Sequence, residues 1–151
     1  MFDFTQISHY RENNRLEAKL ATGGLPHSIW ETYSAFANSY GGVILLGVEE
    51  LPDHSLQVRG LLDPDEMADE FRAMLDDPAV VSANILADGD IRVTDTGEGA
   101  IIVIEVPPAP RDLLPVYLGK DPFTGSYRRS GDGDYHCTWA EVVTMLGDRD
   151  H

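Results

Sequence analysis

The chain has a single cysteine, Cys137, in 151 residues. No internal disulfide can form, and with no second cysteine at ligand spacing beside His136 a zinc-thiolate centre is excluded too. The histidines His9, His27, His54, His136 and His151 are scattered over loop-like segments, without a pair at metal spacing. No apolar run reaches the roughly 18 residues of a membrane span, and Met1-Phe2-Asp3-Phe4 lacks the basic and apolar regions of a secretion signal. A cytoplasmic protein without membrane contact is the expectation. Gly119-Lys120-Asp121 lacks the upstream glycine and the hydroxyl of a phosphate-binding loop, so ATP is not expected in this segment. A Gly-x-Ser-x-Gly nucleophile elbow, internal repeats and low-complexity tracts are missing as well. Basic residues are scarce, 11 Lys and Arg against 26 Asp and Glu, for a net charge of −15. A polyphosphate is held mainly by Lys and Arg, so most of this surface repels nucleic acid and any such contact must use a local basic face.

What is present is enough apolar material for one core: 42% hydrophobic residues, with two Trp, six Tyr and five Phe. A chain of this size buries roughly 68–70% of the surface its unfolded form exposes. Residues 15–21 alternate, with Leu16, Ala18 and Leu20 on one face and Glu17 and Lys19 on the other, the period of a half-buried strand. Ser28 and Glu31 form a capping box for a helix over 28–39 that turns Ile29, Trp30, Tyr33, Phe36 and Ala37 inward. Gly41-Gly42 stops it, and Val43 to Val48 is a continuous apolar run suited to a central strand buried on both faces. Asp63-Pro64 opens a helix over 64–76, and Thr138 with Glu141 caps another over 138–146, with Trp139, Val142, Val143 and Leu146 facing inward. Short strands are expected at 56–58, 80–86, 91–93, 101–106, 116–118 and 127–129. The fold class is α+β: a mixed, mostly antiparallel sheet of about five to seven strands with about three packed helices, in a single domain spanning 1–151.

The order Ala35-Phe36-Ala37-Asn38-Ser39-Tyr40-Gly41-Gly42, followed by the apolar strand and Glu49-Glu50, and preceded by Glu17-x-Lys19, resembles the Schlafen AlbA-type domain, also described as divergent AAA. Gly125 to Arg129 and the helix through Met145 are similar to that family's closing strand and helix. The resemblance implies the N-terminal part of a longer regulator of the transcriptional type, which binds DNA or RNA. The phosphate contacts it suggests here are Arg11, Arg15, Lys19, Arg128 and Arg129, with weak affinity in isolation because the body is acidic. Arg128 and Arg129 are adjacent on a strand and must point to opposite faces.

Nuclease members of the family imply three acids around that lysine, and carried over these are Glu12, Glu17 and the strand-exit glutamate, Glu49 or Glu50, with Lys19 beside them. Hard oxygen ligands from separate elements suit Mg²⁺ or Mn²⁺ in phosphodiester hydrolysis. No cofactor is required by the binding reading. A third expectation, an interaction module that forms a homodimer, suits the acidic body.

Overall fold

The computed structural model describes Ile7, Ser8, Tyr10 and residues 12–149. Its centre is a four-stranded sheet in the order β1 (Leu16–Lys19), β2 (Gly42–Leu46), β6 (Ala100–Val106), β5 (Ile91–Asp95). β1 and β2 run parallel, with Leu16 opposite Val43 and Lys19 opposite Leu46, and the other pairs are antiparallel. A parallel pair needs a crossover, and α1 (Ile29–Ala37) supplies it. The apolar run at 42–46 works as expected. Ile44 and Leu46 pack with Ile102 and Ile104 under α1 and α2 (Pro64–Leu75), where Trp30, Tyr33, Phe36, Phe71 and Leu75 complete the larger core. Leu45 faces the other way, with Leu16, Ala18, Ile101 and Val103, against a hairpin of β3 (Val48–Glu50) and β4 (Leu56–Val58).

The run expected to continue to Val48 breaks at Gly47, which sits at φ 91°. Its N–H donates to the Lys19 carbonyl, while its own carbonyl accepts from the N–H groups of Arg59 and Gly60. The chain therefore leaves the main sheet, and Glu49 and Glu50 belong to a second, two-stranded one. A third small sheet, β7 (Tyr127–Ser130) with β8 (Gly133–His136), packs on α1 beside a one-turn α3 (Pro122–Gly125) and a terminal α4 (Trp139–Asp148). The α+β class with mostly antiparallel pairing holds. The single sheet divides into four, two and two strands.

Gly41 accounts for the sharp entry into β2. It lies at φ 76°, its N–H returns to the Phe36 carbonyl at 2.9 Å, and a Cβ there would stand 2.6 Å from the Val106 carbonyl oxygen. The strand expected at 116–118 reduces to two isolated bridges, Tyr117 to Ser126 and Leu118 to Val81, and three further local expectations fail for identifiable reasons. Residues 80–86 form no strand beyond one bridge from Val81 to Leu118, because other groups take their backbone. The Tyr33 hydroxyl donates to the Ala83 carbonyl and accepts from the Ile85 N–H, and the Ser82 N–H donates to the Tyr117 carbonyl. Ser28 makes no capping bond, since its hydroxyl accepts from Lys19 Nζ at 3.2 Å. In α4 the Thr138–Glu141 capping box forms, but Trp139 and Val143 face outward, Trp139 stacking on Phe123 with ring centroids 3.9 Å apart.

Candidate functional site

β1 alternates as the sequence implies, but its polar face is not a solvated one. Leu16 and Ala18 enter the core on the hairpin side, which turns Glu17 and Lys19 toward α1 and the β7–β8 hairpin. There a cluster of opposite charges assembles at the edge of the sheet. Arg129 Nη1 lies 3.0 Å from Glu17 Oε1 and 2.7 Å from Asp134 Oδ1. Its Nε and Nη2 donate to the Asn13 carbonyl at 3.1 and 2.8 Å, and Nη2 donates to the Leu16 carbonyl at 3.1 Å. The guanidinium also lies over the Phe36 ring, 4.9 Å from its centre. Asp134 accepts in turn from the Thr32 hydroxyl at 2.6 Å. Lys19 Nζ stands 3.5 Å from Glu17 Oε2.

The three acids of the metal reading do converge. Glu12 Oε2 accepts from the Ala18 N–H at 2.9 Å. Burial, and then the neighbouring Glu17 and Glu50 carboxylates and a hydrogen bond to Glu17, push the Glu12 carboxyl up to about 7 against the opposing Ala18 N–H. The choice at the strand exit falls to Glu50, since Glu49 pairs outward with Arg59 at 2.7 Å. The donors are nevertheless already engaged. Glu17 is shared by Arg129 and Lys19, Glu50 faces His54 at 3.6 Å, and Glu12 and Glu17 share a hydrogen bond. Among the described residues no three Asp, Glu, His or Cys side chains are arranged to hold a metal ion. The set as built does not fit Mg²⁺ or Mn²⁺.

The raised Glu12 carboxyl makes a prediction with a definite sign. Between its ordinary value of 4.5 and about 7 the folded chain keeps a proton that the unfolded chain has lost. Its stabilising effect is thus complete below the ordinary value and is lost as pH rises through about 7. Glu12→Gln, which mimics the protonated carboxyl, should resist denaturant better than the parent above neutral pH and match it in acid. Because the carboxyl is only half-buried, the gain is on the order of 1 kcal/mol. Equal denaturation midpoints across the whole range would show that Glu12 stands ionised and unstrained.

The cations expected to face phosphate divide into three groups. Arg129, with 1% side-chain exposure, and Lys19, with 10%, are turned into the cluster. In this arrangement carboxylates and main-chain carbonyls take the donors of Arg129, while Lys19 Nζ is held by Glu17 and the Ser28 hydroxyl. Arg15 and Arg128 remain on the surface, and each lies against an exposed tyrosine, Arg15 at 5.7 Å from the Tyr40 ring centre and Arg128 at 5.8 Å from that of Tyr135. Arg128 also pairs with Glu141 at 3.3 Å, and as strand alternation requires it faces away from Arg129. Arg11 lies outside the described residues.

Asp134, Thr32, Tyr40 and Tyr135 were not anticipated. A signal existed for Asp134 and Tyr135: Gly131-Asp132 between short runs marks a two-residue hairpin, which places them opposite Arg129 and Arg128. Cys137 is buried and its thiol is pushed up to about 11, so it carries no nucleophilic chemistry. No described helix is long and apolar enough to cross a membrane.

This sheet, its βαβ entry and the closing hairpin are those of a known class, and the chain belongs to the Schlafen, AlbA_2 family, whose model matches residues 12–138. Among solved structures it is similar to the solution NMR structure of the N-terminal domain of the "Putative ATP-dependent DNA Helicase RecG-related Protein" from Nitrosomonas europaea. Identity is 26% and the TM-score 0.65, over 91% of this chain and 95% of that one. No curated protein matches the chain.

Proposed function

We propose that this domain is a nucleic-acid-binding regulatory module, of the transcriptional-regulator type, that makes few and weak phosphate contacts. The observation that carries the reading is the pair of surface Arg–Tyr couples, Arg15 with Tyr40 and Arg128 with Tyr135. Each sets a guanidinium, which bonds a phosphate, beside an aromatic face on which a base can stack. Membership of the Schlafen, AlbA_2 family and likeness to the N-terminal domain of a RecG-related protein support it. The net charge of −15 opposes long-range attraction and holds the affinity down.

Titration of labelled DNA and RNA, single-stranded and duplex, against the domain at several salt concentrations tests this. With two cationic contacts to a single strand the logarithm of affinity should fall with the logarithm of salt at a slope of about −1.4. Arg15→Gln with Arg128→Gln should flatten that slope and weaken binding. Absent or salt-insensitive binding overturns the proposal, and if it comes with a stable dimer in sizing, the homodimer reading takes its place.

The convergence of Glu12, Glu17 and Glu50 favours one second reading, the Mg²⁺- or Mn²⁺-dependent nuclease. It requires those acids to exchange their present partners for a cation. RNA cleavage with Mn²⁺ that disappears in a folded Glu17→Ala variant, while binding persists, would establish it in place of the binding role.

A further inference from the structure

The central sheet has two edges, and the fold treats them differently. On the outer side of β1 the Leu16 N–H donates to the Asn13 carbonyl, the Leu16 carbonyl accepts from Arg129 Nη2, and the Ala18 N–H donates to Glu12 Oε2. That edge is closed by side chains and by the preceding turn. At the other edge, the Thr96 N–H donates to the Gly99 carbonyl. With the β5–β6 register this turns the N–H and C=O groups of Arg92 and Thr94 toward β6, and those of Ile91, Val93 and Asp95 away from it. Ile91 is provided for, since its N–H donates to the Asp88 carbonyl and its own carbonyl accepts from Arg72 Nη2 at 3.0 Å. Val93 and Asp95 are not. Their four main-chain groups have no partner among the described residues, and both residues are exposed, Val93 by 40%. An open strand edge of this kind is a ready template for another strand.

We infer that the β5 edge pairs with the β5 edge of a second copy of this chain, antiparallel about a two-fold axis at Thr94. In that register Val93 of each copy lies opposite Asp95 of the other, and their mutual hydrogen bonds use every free group on both edges. Ile91, already engaged, falls beyond the pairing. Moving the axis to Val93 would instead set Asp95 against an Ile91 whose N–H is taken and whose carbonyl already holds Arg72.

The charges along the seam agree with a second copy as the occupant. Asp95 has no base within ion-pair distance among the described residues, and by alternation it shares with Ile91 the sheet face that packs on α2. Pairing brings it toward Arg72 of the other copy, which stands at the end of the seam with only Asp69, at 3.8 Å, as its ion partner. On the opposite face Arg92 is neutralised by Glu105 at 3.3 Å, and the uncharged Thr94 side chains meet at the axis. The product is one continuous sheet of two four-stranded halves. Its seam lies at the edge away from β1 and Arg15, so the inference stands independently of the nucleic-acid reading.

Sedimentation velocity over a range of protein and salt concentrations tests this. The seam is small, so a weak, concentration-dependent dimer is expected. Because each copy carries a net charge of −15, the dimer should tighten as salt rises, the reverse of the phosphate contacts proposed above. Val93→Pro removes an outward N–H and no bond to β6, a place where an edge strand accepts proline, and should raise the dimer dissociation constant about tenfold or more. Thr94→Cys sets two thiols on a non-hydrogen-bonded pair, where facing Cα atoms stand about 4.5 Å apart, within disulfide reach. Mild oxidation should crosslink it, the native Cys137 being buried. Arg92→Cys, on the same face but about 13 Å along the strand from its counterpart, should not crosslink. A monomer under all conditions, a dimer unaffected by Val93→Pro, or Arg92→Cys crosslinking as readily as Thr94→Cys would overturn the inference, and the two cysteine variants decide it should Val93→Pro fail to fold.

Discussion

Replacing Arg129 with methionine is expected to destabilise the domain by about 3–5 kcal/mol, read as a large drop in denaturant midpoint. The guanidinium is buried and answers two carboxylates, Glu17 and Asp134, and two main-chain carbonyls, those of Asn13 and Leu16. Removing it leaves Asp134 without a countercharge and Glu17 with Lys19 alone, and it cuts the tie that joins the segment before β1 to the closing hairpin. Arg129→Lys keeps the charge but not the planar fork, so it should recover only part of the loss. The control is one residue away. Arg128 makes a half-exposed pair with Glu141, and Arg128→Met should cost no more than about 1 kcal/mol. If the two substitutions have equal effects, the cluster does not hold the fold together.

That contrast shows where sequence reasoning reaches its limit. Alternation through 16–19 correctly sets Glu17 and Lys19 on one face, and alternation through 127–130 correctly separates Arg128 from Arg129. Period alone says which residues share a face, not what the face meets. Whether it looks to solvent or to a distant element is settled by contacts more than 100 residues apart in sequence, such as Arg129 with Leu16. The same non-locality undoes the capping box at Ser28, whose hydroxyl is claimed by Lys19, and the strand at 80–86, whose backbone is claimed by Tyr33. The long periodic elements, α2 and the paired apolar strands β2 and β6, were legible because burial on a known face fixes them. Convergence of Glu12, Glu17 and Glu50 was legible through the family resemblance rather than through spacing. Their engagement with Arg129, Lys19 and each other was not legible at all.

The motif residue at the C-terminal end of α1 should prove the second most sensitive position: Asn38→Ala is expected to lose about 2–4 kcal/mol. Asn38 closes α1, but its side chain does more than cap. Its Oδ1 accepts from the Val116 N–H at 2.8 Å, and its Nδ2 donates to the Val116 carbonyl at 2.9 Å and the Tyr127 carbonyl at 3.0 Å. One amide thus pairs with residue 116 in both directions, as a neighbouring strand would, and anchors the first residue of β7. Val116 is fully buried, so truncation leaves its N–H without a partner and without water. Its carbonyl keeps the Ser34 hydroxyl at 2.7 Å, which limits the loss. Asn38→Asp should be no better than alanine, because a carboxylate keeps the acceptor but turns negative oxygens on two carbonyls. Ser34→Ala, losing a single hydroxyl, should fall between Asn38→Ala and the parent. Since β7 carries both Arg128 and Arg129, Asn38→Ala should also weaken any nucleic-acid affinity of Arg128 and Tyr135. A midpoint for Asn38→Ala within about 0.5 kcal/mol of the parent would show that the helix terminus, and not the amide's link to residues 116 and 127, is what the motif provides.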